Sequence, residues 1–328
     1  MSPEQSTRKK WLLRGIKLAI VALVFWAVWG TLSKAWGQLD EHRWHLQPAW
    51  LIVSAGLYLL GLLPAGIFWH RVLLALGQDA RFGETMRAYY VGHLGKYVPG
   101  KAMVVVIRTG MIRGHRVDTA VAAVSVFLET LTMMAVGAFL AAAFLAASLG
   151  DQGLAFWGAV GLMLCSGLPT LPSVFKRLVR LAGVGRSDPA IAKKIEKLSY
   201  RTLLIGWALL VLSWGLLGLS YWATLQAMGI AGLDPIGQLP RYTASVSLAT
   251  VAGFLVLVPP GGIGVREAAL AESMIRYLAT LTPQAELAAW ASAFVLRLVS
   301  LVSELAISGI LYLLGLRKAE VIHVDAGD

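Results

Sequence analysis

The 328-residue chain is 57% hydrophobic and 14% charged, with a formal net charge of +11 and a mean hydropathy of +0.69. Soluble chains run near 25% charged residues, so this composition excludes a soluble globular protein and fits a polytopic membrane protein, each span needing roughly 20 apolar residues. No stretch is long and polar enough for a soluble catalytic domain, and the surplus of Lys and Arg reads as membrane topology and not as nucleic-acid binding.

Arg8, Lys9 and Lys10 precede an apolar run over 11–33, which lacks a small-x-small cleavage site and reads as an uncleaved first span. Further runs able to span lie at 49–76, 119–148, 153–175, 202–228 and 285–316. The segments 85–112 and 240–280 are apolar but interrupted by Gly, Pro and charges. The single cysteine, Cys165, sits within an apolar run, so no intramolecular disulfide can form.

Basic residues orient the chain, because Lys and Arg collect on the cytoplasmic side. They cluster at the N-terminus, in the 176–201 connection and at Arg317 and Lys318, whereas 34–48, 149–153 and 229–239 carry few or balance them with acids. Six spans satisfy this pattern only if both interrupted segments enter and leave on one face, 85–112 on the cytoplasmic side and 240–280 on the outer side. The expected fold is therefore an all-α membrane bundle, one integral domain over 1–328, with six spans and two re-entrant segments. Its halves, 11–148 and 153–316, repeat with opposite orientation, and both termini are cytoplasmic.

The two interruptions resemble each other. The first holds Gly95, Tyr97, Pro99, Gly100 and Lys101, then Arg108; the second holds Pro259, Pro260, Gly261, Gly262 and Gly264, then Arg266 and Glu267. Interrupted segments at matching places in inverted halves point to a transporter's binding site. Irregular backbone at membrane depth survives only where it is buried in protein or lines a wet cavity. From Ile263 a short helix can start, its first N–H groups free to face an anion such as phosphate. The bland alternative is an ordinary turn with its Arg among lipid head groups.

Two long runs carry charges at depth. Ser125, Glu129 and Thr132 share one helix face, as do Arg297, Ser300 and Glu304. Such charges face a bundle interior or a polar path, either as structural ion pairs or as transport groups; a buried glutamate would also permit proton coupling. Lys96, Lys101, Arg108 and Arg113 could meet lipid phosphates, although for Lys96 and Arg113 snorkelling is the preferred reading. His93 reads as a local hydrogen-bond partner. Residues 95–102 nearly match a nucleotide-binding loop, but Ala102 stands where the magnesium-binding hydroxyl belongs and no strand precedes it. No histidine set has metal-site spacing and no nucleophile–base set is evident, so neither metal, cofactor nor catalytic group is expected. Residues 186–200 read as an amphipathic helix on the cytoplasmic leaflet.

The strings Gly95-x-Tyr97-x-Pro99-Gly100 and Pro259-Pro260-Gly261-Gly262-Ile263-Gly264-Val265-Arg266-Glu267 resemble the lysylphosphatidylglycerol synthase transmembrane-region family, over nearly the whole chain. This is the integral membrane part of the multiple peptide resistance factor. In two-part members it moves an aminoacylated phosphatidylglycerol across the bilayer, and a separate cytoplasmic domain makes that lipid. This chain reaches Asp328 soon after its last apolar run, so the resemblance implies lipid translocation in a bacterial inner membrane, without synthase chemistry, and leaves the lipid open. The implied partners are a membrane phospholipid or related amphiphile and a lipid-synthesising enzyme. Arg108, Arg266 and Arg297 are the candidates for phosphate contact, and Glu129, Glu267 and Glu304 for a cationic head group, for coupling or for pairing those arginines. A membrane-embedded lipid-modifying enzyme and a non-catalytic scaffold are the alternatives.

Overall fold

The computed structural model describes residues 46–98, 102–114, 116–149, 153–181, 189–256, 262 and 264–325. The expected first span at 11–33 lies outside the described residues, as do Pro99, Gly100, Lys101, Pro259, Pro260, Gly261 and Ile263. The described secondary structure is helical apart from one isolated bridge between Gly114 and Val117.

In chain order the helices are α1 (Pro48–Ala75), α2 (Phe82–His93), a 3-10 turn (Leu94–Tyr97), α3 (Ala102–Ile112), α4 (Thr119–Leu149), α5 (Leu154–Ser166) and α6 (Pro172–Leu181). They continue with α7 (Pro189–Glu196), α8 (Tyr200–Ala227), α9 (Leu239–Leu255), α10 (Val265–Leu278) and α11 (Ala285–Asp325). Among the described residues four helices are long and apolar enough to cross a membrane: Pro48–Ala75, Thr119–Ser148, Tyr200–Ala227 and Ala285–Leu311. At ~1.5 Å rise per residue each exceeds the ~30 Å hydrocarbon core. The protein is a multi-pass, all-helical membrane protein.

The run at 153–175 departs from the single straight span expected of it. Helix α5 stops at Ser166, because Gly167 and Pro169 break the ladder and Pro172 starts a new helix. Phe156–Thr170 and Pro172–Leu181 meet at 64° and make a fifth crossing only if taken together. Helix α7 falls within the expected amphipathic segment, but it leans on protein: Ile195 and Leu198 are buried, Lys194 lies 3.7 Å from Asp118, and Lys176 donates to the Glu196 carbonyl at 2.9 Å.

The central seam joins α1 and α8, which run antiparallel. Gln47 N–H donates to the Ala227 carbonyl at 2.8 Å. One heptad further along both helices, Ser54 donates to the Ser220 carbonyl at 2.8 Å and Ser220 returns the bond to the Ser54 carbonyl at 2.9 Å. The next heptad sets Gly61 against Ser213, and the next sets Phe68 against Gly206, where any side chain would collide with the Phe68 ring. Small residues at heptad spacing let two helices approach closely where lipid supplies no hydrophobic drive. Around this seam α2 packs on α1, α3 and α11, while α9 packs on α8, α10 and α4; α3 rests on α4, and α10 on α11.

Candidate functional site

Each interrupted segment is folded back on itself at glycine. In the first, α2 gives way to the 3-10 turn, and Gly95 lies so close to α3 that a Cβ would stand 2.5 Å from the Val104 nitrogen and 2.7 Å from the Met103 carbonyl carbon. In the second, a Cβ on Gly262 would stand 2.6 Å from the Gly253 Cα, and Gly262 and Gly264 have φ of 69° and 86°. Backbone on backbone leaves nothing that can give way, and positive φ adds strain for any other residue. Tyr97 is buried beside the first fold.

Three ion pairs meet at these folds, two of them buried on both sides and the third with a half-buried lysine. Arg108 of α3 donates to Glu129 of α4 at 2.7 Å, with both side chains almost fully buried. The Arg108 guanidinium lies 4.0 Å from the Tyr89 ring centroid and 5.5 Å from that of Trp69, so aromatic faces replace the solvation it has lost. The Tyr89 hydroxyl donates to the other Glu129 oxygen at 3.2 Å. Trp69 in turn is held by its Nε1 bond to Ser125, 2.9 Å.

At the second fold Arg297 of α11 donates to Oε1 of Glu267 on α10. Glu267 Oε2 accepts the Gly264 N–H at 2.7 Å, an arrangement that also suits the positive end of a helix. Of the N–H groups expected to face an anion at this helix start, that of the N-cap Gly264 is taken by the protein's own carboxylate.

The third pair links the first fold to the last helix. Lys96, in the 3-10 turn, donates to Oε1 of Glu304 on α11, and so does the Tyr58 hydroxyl from α1. The Lys96 ammonium stands 5.1 Å from the Tyr97 ring centroid and 5.9 Å from that of Tyr58. His93 connects this pair to the first. Its Nδ1 lies 3.4 Å from Arg108 Nη2, and a guanidinium can only donate, so Nδ1 accepts and Nε2 carries the proton. Nε2 stands 3.8 Å from Glu304 Oε1. Lys96 is thus no snorkelling residue: the Glu304 carboxylate turns it inward.

Three groups in this cluster lack a match among the described residues, the first being the buried Nε of Arg108. Glu304 Oε2 has no hydrogen-bond partner, although the residue is fully buried. Arg266, half-buried, pairs with no carboxylate, yet it lies near enough to act electrostatically on Tyr58, His93, Lys96 and Tyr97. Among the described residues Lys96, Arg108, Arg266 and Arg297 thus face Glu129, Glu267 and Glu304, which leaves Arg266 as the surplus cation there.

The structure therefore brings Arg108 to Glu129, Arg297 to Glu267, and Arg266 to the surroundings of Glu304. Ser300 and Thr132 bond back to their own helices, and Arg113 is exposed. Sequence reasoning missed Tyr58, Tyr89 and Trp69, whose pattern is that of ordinary apolar helix faces. For Lys96 a signal existed, its place inside the Gly95–Lys101 interruption. Among known families, the one described as "Lysylphosphatidylglycerol synthase TM region" matches residues 15–308, and the chain belongs to it. Neither a curated protein nor a solved structure matches.

Proposed function

We propose that this member of the lysylphosphatidylglycerol synthase transmembrane-region family is a lipid translocase, which passes a phospholipid head group through the charged cluster while the acyl chains stay in the bilayer. The observation that carries the reading is the linked set of ion pairs at the two folded-back segments, with Arg266 left unmatched by any carboxylate among the described residues. Charge at membrane depth is costly and marks polar paths, and an unmatched arginine there suits a phosphate.

An inverted repeat of six spans and two re-entrant segments is part of this reading. Exchanging α1 with α8, α2 with α9, α3 with α10 and α4 with α11 turns the packing list of these helices into itself. The antiparallel α1–α8 seam and the reciprocal Ser54–Ser220 bonds are what a two-fold axis in the membrane plane would produce. Trp69 bonds Ser125 between α1 and α4, as Tyr221 bonds Ser292 between α8 and α11, 2.9 Å in each case. Two such halves rocking about the seam would open the cluster to each leaflet in turn. In this reading the membrane is the bacterial inner membrane, with cytoplasmic termini, and a lipid-synthesising enzyme supplies the cargo.

The test is scrambling of fluorescent phospholipids of several head groups in liposomes, read with a membrane-impermeant quencher, for wild type and Arg266→Ala. Movement in wild type that is lost in a folded Arg266→Ala supports the reading, with the lipid recovered chemically unchanged. A folded wild type that moves no head group, even under an imposed pH gradient or potential, sinks it. A modified lipid in the recovered pool would show an enzyme instead.

A further inference from the structure

We infer that helix α6, with α7 and the start of α8 beside it, is a docking surface for the anionic face of a lipid leaflet, set apart from the charged cluster and on the side of the basic 176–201 connection. The inference stands whether or not the protein moves lipid.

Helix α6 starts within the bilayer and leaves it at a slant. The 13 residues of α5 rise only about 20 Å at ~1.5 Å per residue, short of the ~30 Å hydrocarbon core. Leu154, Trp157, Leu162 and Leu164 of α5 are exposed, as lipid-facing side chains are. The break at Gly167, Pro169 and Pro172 then turns the chain by 64°. With α5 upright, α6 lies closer to the membrane plane than to its normal.

The surface of α6 divides three ways. At ~100° per residue, Pro172, Phe175 and Val179 share one side, which packs on the protein: Pro172 and Phe175 are buried and Val179 leans on the core. Beside it lie Val174, Leu178 and Leu181, with Leu178 44% and Leu181 76% exposed. Across from both lie Lys176, Arg177 and Arg180. An apolar half and a basic half describe a helix in the interface, its leucines among acyl chains and its cations at the phosphates. The sequence pattern pointed to 186–200 for such a helix. The membrane face instead falls one helix earlier, because α7 turns Ile195 inward and Leu198 after it is buried too.

The cations of this surface are not neutralised by the protein. Lys176 donates to the Glu196 carbonyl and fastens α6 to α7, and the Tyr200 hydroxyl donates to Ser173 at 3.2 Å and fastens α6 to α8. Asp118 lies 3.7 Å from Lys194 and caps α4 through the Ala120 and Val121 N–H groups. Glu196 is the one acid on α6 and α7. Among the described residues Arg177, Arg180, Lys193, Lys197 and Arg201 are exposed and pair with no carboxylate. A surface of one sign bordered by bare leucines is complementary to an anionic leaflet, where each basic side chain strengthens attachment by about fivefold. A neutral leaflet would satisfy the leucines alone.

The experiment places an NBD fluorophore on Leu181→Cys in full-length protein, with Cys165→Ser because Cys165 is the single cysteine. The protein is reconstituted in phosphatidylcholine liposomes. Phosphatidylglycerol and phosphatidylcholine with the same doxyl-labelled chain are compared as quenchers at one mole fraction. Phosphatidylglycerol should be favoured at the probe by about fivefold, the factor of one basic side chain at the surface. Arg177→Gln/Arg180→Gln, both exposed, should bring the two lipids to within about twofold. Molar salt, with a screening length of ~3 Å, should do the same, and it decides the matter if the double variant fails to fold. The same probe on Leu145→Cys, exposed near the far end of α4, should show no preference. Equal quenching at residue 181, a preference that survives both salt and the arginine changes, or an equal preference at residue 145 overturns the inference. Quenching by aqueous iodide and by neither lipid would show α6 in water, open to a soluble acidic partner, and overturns the lipid assignment. All of these readings are made without any lipid crossing the bilayer.

Discussion

Replacing Arg108 by methionine removes a cation whose side chain is 2% exposed and whose partner, Glu129, is 3% exposed. The stranded carboxylate sets the cost, about 3–5 kcal/mol for breaking a buried pair on one side. Lifting the guanidinium from the Tyr89 and Trp69 faces adds about 1–2 kcal/mol. The double variant Arg108→Met/Glu129→Leu removes both charges and refills the volume, so it should return to within about 2 kcal/mol of wild type. Reversible unfolding in SDS–detergent mixtures, followed by tryptophan fluorescence, measures both. A double variant as unstable as the single one would refute the claim that the stranded charge is the cause. So would a single variant within about 1 kcal/mol of wild type. Both variants should lose lipid movement, since a stable apolar pair still lacks the polar path.

The glycines of the folds give sharp contrasts. Gly95→Ala forces a Cβ against Val104 and Met103 backbone and should destabilise by about 1–3 kcal/mol, and Gly262→Ala should cost more because φ is 69°. Gly56→Ala on α1 meets nothing within 4 Å and should be neutral or stabilising by up to about 1 kcal/mol; equal losses at all three sites in a thermal aggregation assay would contradict this. At the seam, Ser54→Ala should cost only about 0.6 kcal/mol per bond lost, while Gly206→Leu, which collides with Phe68, should abolish stable folding as judged by gel filtration. Tyr58→Phe removes one of the donors on Glu304 and should cost about 1–3 kcal/mol, with slower lipid movement in the liposome assay.

The long helices α1, α4, α8 and α11 were legible because their apolar runs are unbroken and long, and this is the strongest signal a membrane sequence carries. The run at 153–175 misled because hydropathy does not register direction. Its residues are apolar throughout, yet Gly167, Pro169 and Pro172 bend the chain by 64°. The glutamates and arginines at depth were legible as anomalies, but their partners were not: Glu267 with Arg297 and Glu304 with Lys96 are choices made by tertiary packing between segments far apart in sequence. Lys96 was the instructive error. Near a span end a lysine ordinarily reaches for the head groups, and only the position of Glu304 on another helix reverses its direction. Tyr58 and Tyr89 carried no signal, since an aromatic on an apolar helix face looks the same whether its hydroxyl meets a carboxylate or lipid.

The Arg108–Glu129 and Arg297–Glu267 pairs have opposite polarity. At the first joint the folded-back arm supplies the arginine and the long helix the glutamate; at the second the arm supplies the glutamate and the long helix the arginine. Packing at each joint needs only that the joint be neutral, whichever helix carries which sign. A lone charge of either sign at this depth would be costly, and a matched pair removes the net charge whichever helix carries which member. Once the joints are neutral, the sign of the site is left to Arg266. In a medium of low effective dielectric, a cation left unmatched among the described residues reaches further than it would in water, and Arg266 lies near enough to reach the groups around Glu304. Selectivity for an anionic group can therefore rest on a single side chain while three pairs hold the frame. Arg266→Gln should for that reason weaken binding of phosphate-bearing lipids without the loss of stability that follows Arg108→Met, and a variant that instead unfolds as Arg108→Met does would place Arg266 among the structural pairs.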